Sequence, residues 1–259
     1  MIPIREIKEK AREYGVPTST IERDYAQNWL LKYLYHPDII LKGGTGIRKV
    51  YIKNYRFSDD LDFSLAKLIK EEDLLARMDR AVNEAKEEVG INFKIKDNLT
   101  KTETGFKGKI YFNIIKNATG TPLSIKIDIT NFNNEKILLP IEQKRIFHPY
   151  SDELNAKIKA YSLEEIFTEK IRALIERTRA RDLYDIGMLS DLINKDKALQ
   201  IFDEKFKYKG VILDISSLIK RKDDFANAWE NSLRHQLKSL PDFELTFNKV
   251  IEIMSKIKK

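Results

Sequence analysis

The chain reads as an α+β protein: a mixed β-sheet core with helices over residues 1–150, then a C-terminal helical bundle over 151–259. Three observations predict this. Residues 57–65 and 123–130 alternate polar and apolar side chains with the two-residue period of a strand. Residues 71–89 place apolar side chains at helical spacing and stop at Gly90. After Pro149 the patterning is helical, and strands with interspersed helices followed by helices alone make two layers of different kind.

The elements follow in order. Ile4, Ile7, Ala11 and Tyr14 form the apolar stripe of a first helix, ended by Gly15 and Pro17. Ser19-x-x-Glu22 reads as the capping box of a second helix, which runs to about Tyr35 and is broken by His36-Pro37-Asp38. Ile39-Ile40-Leu41 is a short strand leading into Lys42-Gly43-Gly44-Thr45-Gly46, and residues 47–53 read as a short helix. Beyond the 71–89 helix, residues 91–96, 106–116 and 123–130 read as strands, the last two joined by the turn-forming sequence 117–122. Tyr150-Ser151-Asp152 is the best boundary. A second capping box, Ser162-x-x-Glu165, then opens a series of helices at 163–179, 181–194, 196–206, 221–238 and 242–257.

Composition narrows the function classes. The absence of cysteine excludes disulfides, zinc–thiolate sites and cysteine nucleophiles. No uncharged apolar run approaches the roughly 20 residues that span a bilayer, and the charged first residues lack the apolar stretch of a secretory signal, so the expectation is a cytoplasmic protein without a membrane partner. The net charge of +7 favours a polyanionic partner only weakly, because acidic and basic residues are well mixed.

The strand at 57–65 carries the chemistry. Residues two apart in a strand point the same way, so Asp60 and Asp62 leave one face about 7 Å apart while Leu61 and Phe63 enter the core. Adjacent carboxylates repel unless a cation lies between them, and Mg²⁺ (or Mn²⁺), which prefers oxygen ligands, suits such a pair. The alternative is a solvated face on an edge strand. Asp128 is the only acid on the polar side of the strand at 123–130. It reads either as a third metal-holding carboxylate or as a salt-bridge partner of Lys126 or a neighbour. Gly43-Gly44-Thr45, between a strand and a helix, reads as a phosphate cradle in which Thr45 offers a hydroxyl, or simply as a tight turn. It is neither a Walker A motif nor a Rossmann fingerprint.

In the helical half, Lys170 falls on or beside the apolar stripe of its helix and is either snorkelling or reaching for a phosphate. Arg181 and Asp185, four apart, make a helical salt bridge in the plain reading, and Asp182 is a possible cap for the next helix.

Together these strings resemble the AbiEii-type nucleotidyltransferase toxin family, within the polymerase-beta-like nucleotidyltransferase superfamily. The matching motifs are residues 42–48 (KGGTGIR), 56–64 (RFSDDLDFS), 126–128 (KID), Glu169-Lys170, and 181–185 (RDLYD), and the match spans about residues 20–195. The resemblance implies a nucleotidyltransferase catalytic domain over 1–150 and a helical domain over 151–259 that completes the nucleotide site. It implies metal ligation by Asp60, Asp62 and Asp128, with Lys170, Asp182 and Asp185 as further catalytic residues. Gly43, Gly44, Thr45, Arg48, Lys170 and Arg181 would bind the nucleotide. The implied reaction moves NMP from an NTP to an RNA acceptor, a tRNA 3′ end above others, by two-metal catalysis with release of pyrophosphate, which blocks translation. The implied partners are an NTP, RNA and a cognate antitoxin, with no DNA. Transfer to a protein or small-molecule hydroxyl, or a non-catalytic binding role, remains the alternative.

Overall fold

The computed structural model describes residues 1–95, 99–115 and 120–257. The expected α+β arrangement is present, a mixed sheet with helices followed by a helical part. The chain divides into two compact units: Met1–Glu135 with Ile141–Tyr161, and Lys136–Pro140 with Ser162–Lys259.

The first unit begins with α1 (Ile4–Glu13) and α2 (Thr18–Tyr33) and continues through β1 (Ile39–Lys42) into α3 (Gly43–Gly46), which runs on as a π-helical turn over Ile47–Tyr51. Then come β2 (Asp60–Leu65), α4 (Glu71–Val89), β3 (Lys94–Ile95), β4 (Thr100–Thr102), β5 (Gly105–Phe112), β6 (Leu123–Thr130), β7 (Glu142–Arg145) and β8 (Lys157–Ala160). The sheet order is β3-β5-β6-β2-β1-β8-β7, with β4 beside β5. Strand β2 is therefore central, parallel to β6 and antiparallel to β1. One face is built from Leu61, Phe63, Ile125, Ile127, Ile129, Phe106 and Ile110, all buried in one apolar cluster with α2 and α4. Polar side chains alternate with these and leave the opposite face.

Several expectations change. Pro17, not a serine, precedes α2, so Ser19 and Glu22 both lie inside the helix and no capping box forms. The Glu22 carboxylate instead accepts the Ile115 N–H at 2.9 Å. The strand expected at 91–96 pairs only over Lys94–Ile95, and that at 106–116 ends at Phe112. Lys96, Lys116 and residues 117–119 of the connecting turn lie outside the described residues. The units divide at Tyr161 rather than near Tyr150. The reason is β8, which lies parallel to β1 with Leu41 opposite Ala160 and keeps the chain in the sheet.

In the second unit, α5 (Leu163–Glu176) is capped by Ser162, whose hydroxyl accepts the Glu165 N–H at 3.2 Å. The Glu165 side chain does not close the box. It accepts the Leu138 and Leu139 N–H groups at 2.9 and 2.7 Å and pairs with the buried Lys205 at 2.8 Å, which ties residues 136–140 to this unit. The remaining helices are α6 (Ala180–Leu189), α7 (Lys195–Lys209), α8 (Ile215–Lys220), α9 (Lys222–Leu233) and α10 (Phe243–Ile257), so the helix expected at 221–238 is shorter and α8 precedes it.

Helix α4 offers a clean test of the fold. Gly90 caps it at φ +74, and a methyl group added there meets nothing within 4 Å. Gly90→Ala is therefore expected to cost about 1 kcal/mol through backbone strain alone, read from the urea midpoint. An unchanged midpoint would show that the left-handed cap contributes nothing.

Candidate active site

The polar face of the sheet is an ordered array of charge. Across β1, β2, β6 and β5, Lys42, Asp62, Asp128 and Lys107 lie in register, so their side chains leave the same face in one row. The next row is Asp60, Lys126 and Lys109. Asp60 and Asp62 are partly exposed, while Leu61 and Phe63 between and beside them are buried. Because β2 is central, the edge-strand alternative for this pair falls. Asp128 pairs with Lys107 at 3.3 Å, so its cation comes from the neighbouring strand.

Helix α2 holds the start of β2. Arg23 donates to Asp59 at 2.8 Å and to the Ser124 carbonyl at 3.1 Å, bridging the approach to β2 with β6. Gln27 donates to the Ser58 carbonyl at 2.9 Å. The glycine turn presses against the same strand. Gly43 adopts φ +68, and a Cβ there would lie 2.6 Å from Asp62 Oδ2. One at Gly44 would lie 2.6 Å from the buried Arg56 guanidinium. Gly43 is thus required by its backbone conformation, and a side chain at either glycine would have to displace the Asp62 carboxylate or the Arg56 guanidinium.

Two expected nucleotide ligands are placed otherwise. Thr45 is fully buried, and its hydroxyl donates to the Asp60 backbone carbonyl, so it secures the strand and offers nothing to a phosphate. Arg48 is turned into the protein by the π-helical turn. It donates to Asp24 at 2.6 Å and to the Tyr55 carbonyl, with its guanidinium 3.5 Å from the centre of the Phe57 ring. A side chain so engaged belongs to the core. Conversely, Lys42, Lys107 and Lys109 flank the carboxylates without having been singled out. The same-face spacing of Lys107 and Lys109 was a usable signal; their register with Asp128 and Lys126 was not.

Among the described residues, no three acidic or histidine side chains converge closely enough to enclose a metal ion. A full cage is not what Mg²⁺ requires, since it is commonly held by one or two carboxylates with water and substrate phosphates completing the shell. Asp60, Asp62 and Asp128 supply only hard oxygen donors, so the donor set fits Mg²⁺ or Mn²⁺.

In the second unit the acidic residues converge on one lysine. Lys170 lies 2.7 Å from Asp182 and 2.8 Å from Asp185, both carboxylates being buried. Arg177 donates to Asp182 at 3.1 Å. Burial works against the Asp182 charge, but Lys170 and Arg177 outweigh it and hold this carboxyl below its usual range. Asp182 is not the cap of α6: Arg179 holds that position, and Asp182 lies in the first turn of the helix. Asp185 pairs with Lys170, and Arg181 is partly exposed. Lys170→Met should remove the cation shared by the two buried carboxylates and destabilise this unit by about 3 kcal/mol, whereas Lys170→Arg should recover most of that. Equal thermal midpoints for Lys170→Met and wild type would remove the structural role.

The comparisons with known proteins bear on both units. No curated protein matches the sequence. Among solved structures, the nucleotidyltransferase toxin MenT4 from Mycobacterium tuberculosis is similar over 100% of this chain and 90% of its own, at 17% identity and a TM-score of 0.67. JHP933 from Helicobacter pylori is similar over 93% of each chain, at 22% identity and a TM-score of 0.55. At these identities the likeness speaks for the fold alone. The family profile described as "Nucleotidyl transferase AbiEii toxin, Type IV TA system" matches residues 27–252. That range takes in both the carboxylate rows and the Lys170 cluster, and the chain belongs to the AbiEii nucleotidyltransferase toxin family.

Proposed function

We propose that the protein transfers NMP from an NTP to a hydroxyl of an RNA acceptor, the 3′ end of tRNA, and thereby blocks translation until a cognate antitoxin restrains it. The observation that supports this above the others is the row holding Asp62 beside Asp128, with Gly43 drawn against the Asp62 carboxylate. The reaction forms a bond between the acceptor oxygen and the α-phosphorus, breaks the bond to the β-phosphate oxygen, and releases pyrophosphate. Asp60, Asp62 and Asp128 would hold Mg²⁺ or Mn²⁺, which would lower the pKa of the acceptor hydroxyl and neutralise the leaving phosphates. Asp128 takes the hydroxyl proton. Gly43 lets the turn close against the Asp62 carboxylate, and Thr45 and Arg23 keep β2 and its carboxylates in place. Lys107, Lys109 and Lys126, all exposed, give the surrounding face the positive charge that draws in an RNA backbone. The motif resemblance also gives Lys170 and Arg181 to the nucleotide phosphates, and we assign the work to the cytoplasm rather than to a membrane. Among the described residues no helix is long and apolar enough to cross one.

Incubating the protein with α-labelled NTPs, Mg²⁺ and total RNA tests the reading. Label is expected in the tRNA fraction. Its absence from RNA, under conditions where a tRNA nucleotidyltransferase control succeeds, overturns the proposal. Label in protein or in small molecules instead would reassign the acceptor.

A further inference from the structure

The π-helical turn that follows the glycines has the Asp62 turn at its start and a second concavity at its far end. That pocket, about 480 Å³, is lined by residues of the turn and of the segment after β7, and contains none of the sheet-face carboxylates. Its volume falls in the range that holds nucleotide-sized ligands.

Its charge is lopsided. Four cations, Arg48, Lys49, Lys53 and Arg145, face one carboxylate, Asp24. Arg48 and Lys49 are buried and bound to Asp24, so together these three contribute one net positive charge from below. Lys53 and Arg145 are exposed, and among the described residues no carboxylate lies within ion-pair distance of either. His148, also on the wall, is held by Asn28 and Asp152 and adds no charge, because burial keeps its pKa below the ordinary value. The wall also has an aromatic surface, with Lys53 Nζ standing 5.7 Å from the centre of the Phe147 ring. Asn54, beside Lys53, has φ +60, which makes it the only non-glycine in the left-handed region among the described residues. Its carbonyl oxygen accepts from Tyr14 at 3.1 Å, which leaves the amide nitrogen as a donor for a ligand. Two exposed cations and an aromatic face at one concavity, with the cations unmatched by nearby carboxylates, are features that favour an anion.

We infer that this pocket is a second anion site, which takes a phosphate ester of nucleotide size, its phosphate drawn to Lys53 and Arg145 and its flat part laid on Phe147. The phosphate ester is supplied either by a free nucleotide or by a nucleotide within RNA. Nothing in this inference depends on the sheet-face carboxylates or on their reaction.

The test is equilibrium binding without divalent metal, in EDTA, so that metal-dependent binding at Asp60 and Asp62 is silent. Two probes are compared by fluorescence anisotropy: a fluorescent ADP and a labelled single-stranded RNA hexamer. Lys53→Glu/Arg145→Glu reverses two exposed charges without touching the core, and is expected to weaken binding by about tenfold or more. Lys53→Gln/Arg145→Gln is expected to fall between it and wild type, and Asp62→Asn to bind as wild type does. Charge-dependent binding of ADP supports the free-nucleotide source, and charge-dependent binding of the hexamer alone supports the RNA source. Failure of both probes to bind, equal binding by the charge-reversed variant, or loss only in Asp62→Asn would each overturn the inference. A negative result here leaves the labelled-transfer experiment untouched.

Discussion

Asp62→Asn is expected to lower nucleotide transfer by about 10²–10³-fold or more while the protein stays folded. The asparagine keeps the shape of the side chain and its place against Gly43, but it removes the charge with which Asp62 would hold the metal in the proposed reaction. Its effect on stability should be small. Asp62 stands in register between Lys42, which attracts it, and Asp128, which repels it, and cross-strand terms of this kind are each worth about 0.2–1 kcal/mol. Loss of the carboxylate removes one of each sign. A catalytic fall with an unchanged urea midpoint is therefore the signature to look for, measured as label incorporated into RNA per minute. Transfer above about a tenth of wild type, a barrier change under about 1.4 kcal/mol, would remove Asp62 from the site. A fall in transfer that tracks a fall in stability would assign it a structural role instead.

The sheet-face carboxylates were legible in sequence because a strand imposes a period of two, and alternation alone states which residues share a face. Register is a different matter. Nothing local says that Asp62 stands beside Asp128 or that Lys107 completes the row, since register is decided by pairing across three strands. Strand β7, Glu142–Arg145, escaped for a related reason, since it has no apolar alternation and is held by its pairing with β8. Strand β8 was legible: Leu154, Ala156, Ile158 and Ala160 alternate with polar residues, and the expectation that the helical half begins there masked the signal. Thr45 and Arg48 were given to the phosphates by adjacency to the glycines, a reading that the packing of the turn does not favour. The phosphate reading needs them to face outward, while the tightly buried turn directs Thr45 to the Asp60 carbonyl and Arg48 to Asp24. The reading of Lys170 stayed open between packing and phosphate because its partners come from the next helix. Only the break at Arg177–Arg179 brings Asp182 and Asp185 back to it.

The largest stability effect is expected at Asp24, which no motif marks. This buried carboxylate accepts from Arg48 at 2.6 Å, Lys49 at 2.7 Å and the Tyr150 hydroxyl at 2.8 Å. Asp24→Asn retains the shape yet strands two buried cations, a change that costs about 3–5 kcal/mol. That is a large share of the usual stability of a domain, so the variant should unfold at markedly lower urea and be enriched in aggregates on expression. The pH dependence identifies the cause. Burial opposes the Asp24 charge, but Arg48 and Lys49 together overcome it and hold its pKa below the ordinary value. Its contribution is therefore complete above about pH 4 and lost as the pH falls below that. Lys49 behaves oppositely. Burial, aided by the Arg48 charge, outweighs the attraction of the single shared carboxylate and pushes it down to about 8. Between about pH 8 and its unfolded value of 10.5, the unfolded chain binds this proton more tightly, so stability from this group rises with pH. In Asp24→Asn the counter-charge is gone, the Lys49 pKa falls further, and the rise should begin at lower pH and be larger overall. Urea midpoints measured from pH 6 to 10 would show this as a variant that loses most at pH 6 and recovers part of the difference by pH 9. A constant difference across that range would mean that the two buried cations are not what Asp24 holds in place.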